Sequence, residues 1–123
     1  MSIRLKRAYQ PASKDDGYLI LVDRLWPRGL SKQDANVDLW IKEIAPGTEL
    51  GKWFKHDTTK WVEFRQRYNQ ELDSQPEAVQ QLVDLVKQQR ATLIYGAKNE
   101  EFNQAVALKE YLDKRAGNLC ETS

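Results

Sequence analysis

Apolar residues recur along this chain with two different periods, and the period assigns the elements. Ile3, Leu5, Arg7 and Tyr9 alternate with Arg4, Lys6 and Ala8. That two-residue repeat predicts a strand with one buried face, near the edge of a sheet. Tyr18 to Val22 is apolar throughout, as a central strand covered on both faces requires. A third such run, Ala91 to Tyr95, ends at Gly96. Elsewhere the repeat lengthens to that of a helix. Val37, Trp40, Ile41 and Ile44 predict a helix stopped by Pro46, and Trp61, Phe64, Tyr68 and Leu72 predict a second that Asp57 or Thr58 can cap. Ser74 with Glu77 reads as a capping box, with Pro76 in the first turn, ahead of Val79, Leu82, Val83 and Val86. Phe102, Ala105, Val106, Leu108 and Leu112 predict the last helix, closed by Gly117.

The predicted order is strand, strand, three helices, strand, helix. It reads as an α/β fold: a small single domain over residues 1–123, with a short, mostly parallel sheet of about three strands flanked by about four helices. Residues 116–123 are expected to form a loose tail. The long helical connection between the second and third strands favours a parallel pair. Ligands of open parallel sheets bind beyond the carboxyl ends of the strands, and those ends carry Asp23–Arg28 and Gly96–Asn99. The first connection, Gln10 to Gly17, is too short for a helical crossover, and its Asp16-Gly17 resembles a hairpin turn. Its length argues for an antiparallel first strand.

Composition narrows the function classes. No apolar run approaches the roughly 18 to 20 residues of a membrane span, and no apolar stretch follows the basic N-terminus, so a cytoplasmic location is expected. Cys120 has no second cysteine to pair with, and a single histidine, His56, far from it makes a metal site improbable. Nineteen basic and eighteen acidic side chains leave a net charge of +1, so no global field draws the chain onto nucleic acid or anionic lipid. Any preference for anions must be local.

Three segments carry candidate chemistry. In the first, Arg24 and Arg28 flank Trp26 and stiff Pro27, with Gly29 free to take positive φ, and can present a fixed fork of donors to a phosphate or carboxylate. Asp23 can orient one of them, or form with it a structural ion pair while Trp26 fills the core. In the second, GAKNEEFNQA at 96–105, a strand gives way to a helix start that offers free N–H groups and the amine of Lys98. Asn103 there belongs either to a polar network or to the surface. In the third, KWFKHDTTKW at 52–61, His56 is the one side chain that normally titrates near neutrality, and it stands beside Asp57. Trp26, Trp53, Tyr9 and Tyr95 lie at element ends, where they can line a pocket or simply pack. There is no G-x-G-x-x-G and no Walker loop, so no cofactor is expected.

Taken together, Lys6-Arg7-Ala8-Tyr9, VDRLWPRGLSK at 22–32, WIKEIAP at 40–46, KWFKHD at 52–57, WVEFRQRY at 61–68 and LIYGAKNEEFNQAVALKEYL at 93–112 resemble the YeaO-like proteins, a bacterial family of unknown function. The resemblance reaches to about Tyr111. Gly47 stands where that family usually has serine, and Gly51 where it usually has arginine. The resemblance implies a small α/β domain and a parallel first strand, against the length argument, so the direction of that strand stays open.

The leading expectation is a basic pocket at the strand ends for a small anionic or phosphorylated ligand or nucleotide. Arg24, Arg28, Lys98, Tyr9, Trp26 and Asn103 would bind, and His56 or Asp23 would move a proton if the protein is an enzyme. The alternatives are a protein-interaction module, or nucleic-acid binding, which the near-neutral net charge disfavours.

Overall fold

A computed structural model describes residues 3–10, 16–31, 36–55, 57–96 and 102–121, with side chains described to Arg115. Four strands, β1 (Ile3–Arg7), β2 (Tyr18–Leu21), β3 (Leu39–Trp40) and β4 (Ala91–Tyr95), form one sheet in the order β1-β4-β2-β3, and every neighbouring pair is parallel. Helices α1 (Thr48–Phe54), α2 (Trp61–Asp73), α3 (Pro76–Gln88) and α4 (Gln104–Glu121) complete an α/β fold. The continuously apolar runs occupy the two central positions, and the alternating run lies at an edge, as the patterning requires.

The first strand is parallel, and the hairpin expectation fails for a topological reason. β4 lies between β1 and β2, so the short connection need not close a hairpin. Gly17 does adopt positive φ, at +69°, and the adjacent Tyr18 N–H donates to the Arg90 carbonyl at 2.9 Å, where β2 and β4 begin to pair.

Strand alternation sorts side chains to two faces. Ile3, Ile20, Val22, Ala91, Leu93 and Tyr95 meet apolar residues of all four helices in one core, with Phe64, Tyr68, Leu72, Leu82 and Leu108 buried within it. The opposite face carries a smaller cluster, Ala8, Leu19, Leu21 and Ile94, covered by Trp26, Leu30, Val37 and Trp40. This division explains the largest misreading. The residues expected to form a helix over Val37–Ile44 instead form β3 and a 3-10 turn, Lys42–Ile44. Val37 and Trp40 pack on one face of the sheet, whereas Ile41 and Ile44 join the core on the other. A helix-like spacing thus arises from a chain that crosses from face to face. The first helix is Thr48–Phe54, which the patterning does not single out.

Two helix ends also differ. Ser74 caps nothing at the start of α3, whose N-cap is Gln75; its Oγ donates back to the Glu71 carbonyl at 2.6 Å, ending α2 instead. The last helix continues past Gly117 to Glu121. Asp57 does cap: its carboxylate accepts from the N–H and hydroxyl of Thr59 at 3.0 and 2.7 Å, opening the turn that leads into α2. The Thr59 bonds hold the Asp57 carboxyl below its usual range.

Candidate functional site

The carboxyl ends of the two central strands meet through Asp23. Its carboxylate accepts the Gly96 N–H at 2.7 Å, at the end of β4, and a hydrogen bond from the Gln104 side chain, in the first turn of α4. One side chain thus ties the loop after β2 to the end of β4 and the start of α4, both more than seventy residues away. Burial pushes the Asp23 carboxyl up to about 6, against the opposing effect of these two bonds. Neither arginine pairs with it. Arg24 Nε donates instead to the Pro46 carbonyl at 3.2 Å. The carboxylate has turned toward β4 and α4, so the expected Asp23–arginine pair does not form.

The loop after β2 is tied at several points. Trp40 Nε1 donates to the Asp23 carbonyl at 2.7 Å, Trp26 Nε1 to the Leu30 carbonyl at 2.6 Å, and the Tyr9 hydroxyl to the Arg28 carbonyl at 3.0 Å. Gly29 takes φ +73°, and Pro27 is buried. A loop with these anchors is fixed before any ligand arrives, which lowers the entropy of binding that would otherwise be lost.

Beside this loop lies a cleft of about 1000 Å³. Arg24, Leu25 and Arg28 line it from the loop, Thr48 and Lys52 from α1 and Lys55 from the end of that helix, with Asp23, Gly96 and Gln104. Four cationic residues thus line one cleft, in a chain whose overall charge is only +1. The α1 wall is held from behind: the Gly47 N–H donates to Glu71 Oε1 at 2.7 Å, and the buried Tyr68 hydroxyl to the Ile44 carbonyl at 2.5 Å. A smaller cavity of about 210 Å³ also touches Arg24, but Glu43 and Glu71 line it, which suits an anion poorly.

The site residues expected from sequence separate into groups. Asp23, Arg24 and Arg28 come together in the cleft. Tyr9 and Trp26 act behind the loop, Tyr9 through its bond to Arg28 and Trp26 edge-on against Trp40, with ring centroids 5.5 Å apart. Asn103 is fully buried, and its Oδ1 accepts the Val106 N–H at 3.0 Å, so it caps α4. His56 and Lys98 lie outside the described residues. Of the end-of-element aromatics, Tyr95 is core and Trp53 stacks with Arg67, whose guanidinium sits 4.3 Å from the ring centroid.

Lys52, Lys55 and Gln104 were not singled out by the sequence. Lys52 lies in the last turn of α1 and Lys55 is the residue that ends it, so both depend on a helix that the apolar pattern does not mark. Lys55 takes φ +44° at the end of α1, one of two non-glycine residues with positive φ among those described. Gly51, on the same wall, has nothing within 4 Å of an added Cβ. Gly51→Ala is therefore expected to stabilise the protein by about 0.5–1 kcal/mol, since alanine favours a helix interior, and to raise the unfolding midpoint in a thermal melt. A lowered midpoint would mean that the wall needs glycine there.

Fold and site define a small α/β protein with a parallel sheet and a cationic cleft beyond the carboxyl ends of its central strands. The chain belongs to the YeaO-like family: residues 2–120 match the family described as the inactive DUF488-N3 subclade. It is 46% identical over 112 residues to the "Uncharacterized protein YeaO" of Escherichia coli K12, covering 91% of this chain and 97% of that protein. It is 34% identical over 113 residues to the "Uncharacterized protein Rv3073c" of Mycobacterium tuberculosis H37Rv, covering 92% and 95%. No solved structure matches it. Among the described residues, no helix is long and apolar enough to cross a membrane.

Proposed function

We propose that the cleft binds a small anionic ligand, a phosphorylated compound or nucleotide, and that the protein acts through binding. The observation that carries this reading is the gathering of Arg24, Arg28, Lys52 and Lys55 around one concave surface in an otherwise near-neutral chain. Guanidinium forks match the paired oxygens of phosphate and carboxylate, and lysines add mobile point charges. Binding without turnover fits two further facts. Asp23 already accepts bonds from Gly96 and Gln104, so it serves as a strut of the site, and the family description carries the word inactive. The concavity of the cationic surface favours a small ligand over a nucleic-acid strand, which would need an extended basic track.

Arg28→Ala tests the reading. The Arg28 side chain is exposed, and the loop is fixed through its backbone carbonyl, so the variant is expected to melt like the parent. Titration calorimetry with inorganic phosphate, pyrophosphate and adenosine monophosphate should show saturable binding that weakens at least tenfold in the variant, the loss of one charge-assisted contact of about 1.5–3 kcal/mol. Unchanged affinity in Arg28→Ala, or no binding of any anion, would overturn the proposal. Binding confined to an oligonucleotide and falling steeply with salt would reassign the cations to nucleic acid.

A further inference from the structure

Leu25 is 77% exposed, the most exposed of the large apolar side chains among the described residues, and it sits on the lip of the cleft between Arg24 and Arg28. Its exposure is fixed by its surroundings. The backbone carbonyls of Asp23, Arg28 and Leu30 are held by Trp40, Tyr9 and Trp26, and the Arg24 side chain is tied to Pro46. The loop's backbone is thus held on both sides of Leu25 while its side chain stays in water. The same cleft is lined by Ala45, Pro46, Phe54 and Phe64, the two phenylalanine rings stacked with centroids 4.2 Å apart. The cleft is therefore an apolar trough bordered by cations.

A bare phosphate needs only donors and charge, and gains nothing from a leucine held in solvent beside it. Ligand sites that combine apolar walls with a few placed charges select molecules built the same way. We infer that the ligand of this cleft is amphiphilic, carrying its anionic head on an aromatic or branched aliphatic body that packs between Leu25 and the Ala45–Pro46 wall. The inference rests on the anion-binding reading above and narrows its chemical class. Arg24 and Arg28 hold the head from the Leu25 side, and Lys52 and Lys55 meet it from α1.

The test compares inorganic phosphate, phenyl phosphate and phenol by titration calorimetry, on the parent chain, Leu25→Ser and Leu25→Met. Phenyl phosphate is expected to bind at least tenfold more tightly than inorganic phosphate, about 1.4 kcal/mol. Leu25→Ser should lose that advantage with its phosphate affinity unchanged, Leu25→Met should keep it, and phenol alone should bind more weakly than either anion. Equal affinity for phenyl and inorganic phosphate would overturn the inference and leave the anion reading standing. Absence of binding by both anions would overturn both. A Leu25→Ser variant that keeps the advantage, or that weakens both anions alike, shows that the lip does not contact the apolar body and likewise overturns it. A dimer in sedimentation that Leu25→Ser dissociates would assign the lip to a second copy of the chain instead.

Discussion

Gly17→Ala is expected to destabilise the protein by about 3 kcal/mol or more, the sum of a strained backbone and a direct clash. At φ +69° an L-residue loses roughly 1–2 kcal/mol to backbone strain. A Cβ there would also stand 2.4 Å from the Arg90 carbonyl oxygen and 2.9 Å from its carbon, closer than side-chain carbons approach backbone. The clash cannot be relieved by rotating a flexible group, because the same carbonyl accepts the Tyr18 N–H at 2.9 Å and so opens the pairing of the two central strands. Gly29→Ala isolates the first contribution: its φ is +73°, but nothing lies within 4 Å of an added Cβ. Thermal or denaturant unfolding should rank the two variants clearly, with Gly17→Ala losing roughly 12 °C at about 4 °C per kcal/mol and Gly29→Ala about a third of that. Equal losses would mean that the Arg90 contact yields and that backbone strain alone matters at both sites.

Asp23→Asn is expected to stabilise the protein at neutral pH and to leave it unchanged near pH 3. The folded-state carboxyl lies near 6, above its ordinary value of 3.8, because it is buried. A carboxyl raised in the folded state means that folding favours its protonated form. Its ionisation therefore destabilises the fold progressively between pH 3.8 and about 6, and fully above that. With partial solvent access discounted, the penalty is roughly 2 kcal/mol. Asparagine removes the charge and keeps the geometry: its oxygen can accept the Gly96 N–H while its amide donates to a flipped Gln104. The midpoint should rise by roughly 5–8 °C at pH 7.5 and by less than about 1 °C at pH 3. A variant less stable than the parent at pH 7.5 would show that the two hydrogen bonds outweigh desolvation. Asp57 acts with the opposite sign, since its carboxyl is lowered and its support fades as the solution is acidified. Subtracting the variant's pH curve from the parent's isolates Asp23. An anion seated nearby would repel the carboxylate further, so binding should draw a proton onto Asp23 at pH 6 to 7.

The strand ends were legible because two local signals coincided there. Continuous apolar runs marked the central strands, and the residues that followed them were charged or small, which placed Asp23, Arg24, Arg28 and Gly96 at one end of the sheet. Asp57 as a cap and Gly29 with positive φ were equally local and held. Trp26 and Asn103 were ambiguous as letters. A tryptophan at an element end can face a ligand or a neighbour, and here its partner is Trp40, fourteen residues on. An asparagine near a helix start becomes a cap only once the helix begins one residue after it.

The sequence by itself determined the buried stripes of α2 and α3, which strands are central, and which segment follows each of them, because those depend on period and composition within a dozen residues. Tertiary structure decided the rest. Period cannot tell the two faces of a sheet apart, so the spacing over Val37–Ile44 mimics a helix although the chain there crosses from the Trp26 cluster to the main core. Nor can it show that β4 enters between β1 and β2, which makes the first strand parallel and brings Asp23 to Gly96 and Gln104 across more than seventy residues. Lys52 and Lys55 join the arginines only because α1 packs beside the loop, held by Glu71 and Tyr68 from behind. The cleft's charge is thus a property of packing between distant segments, and no single stretch of the chain contains it.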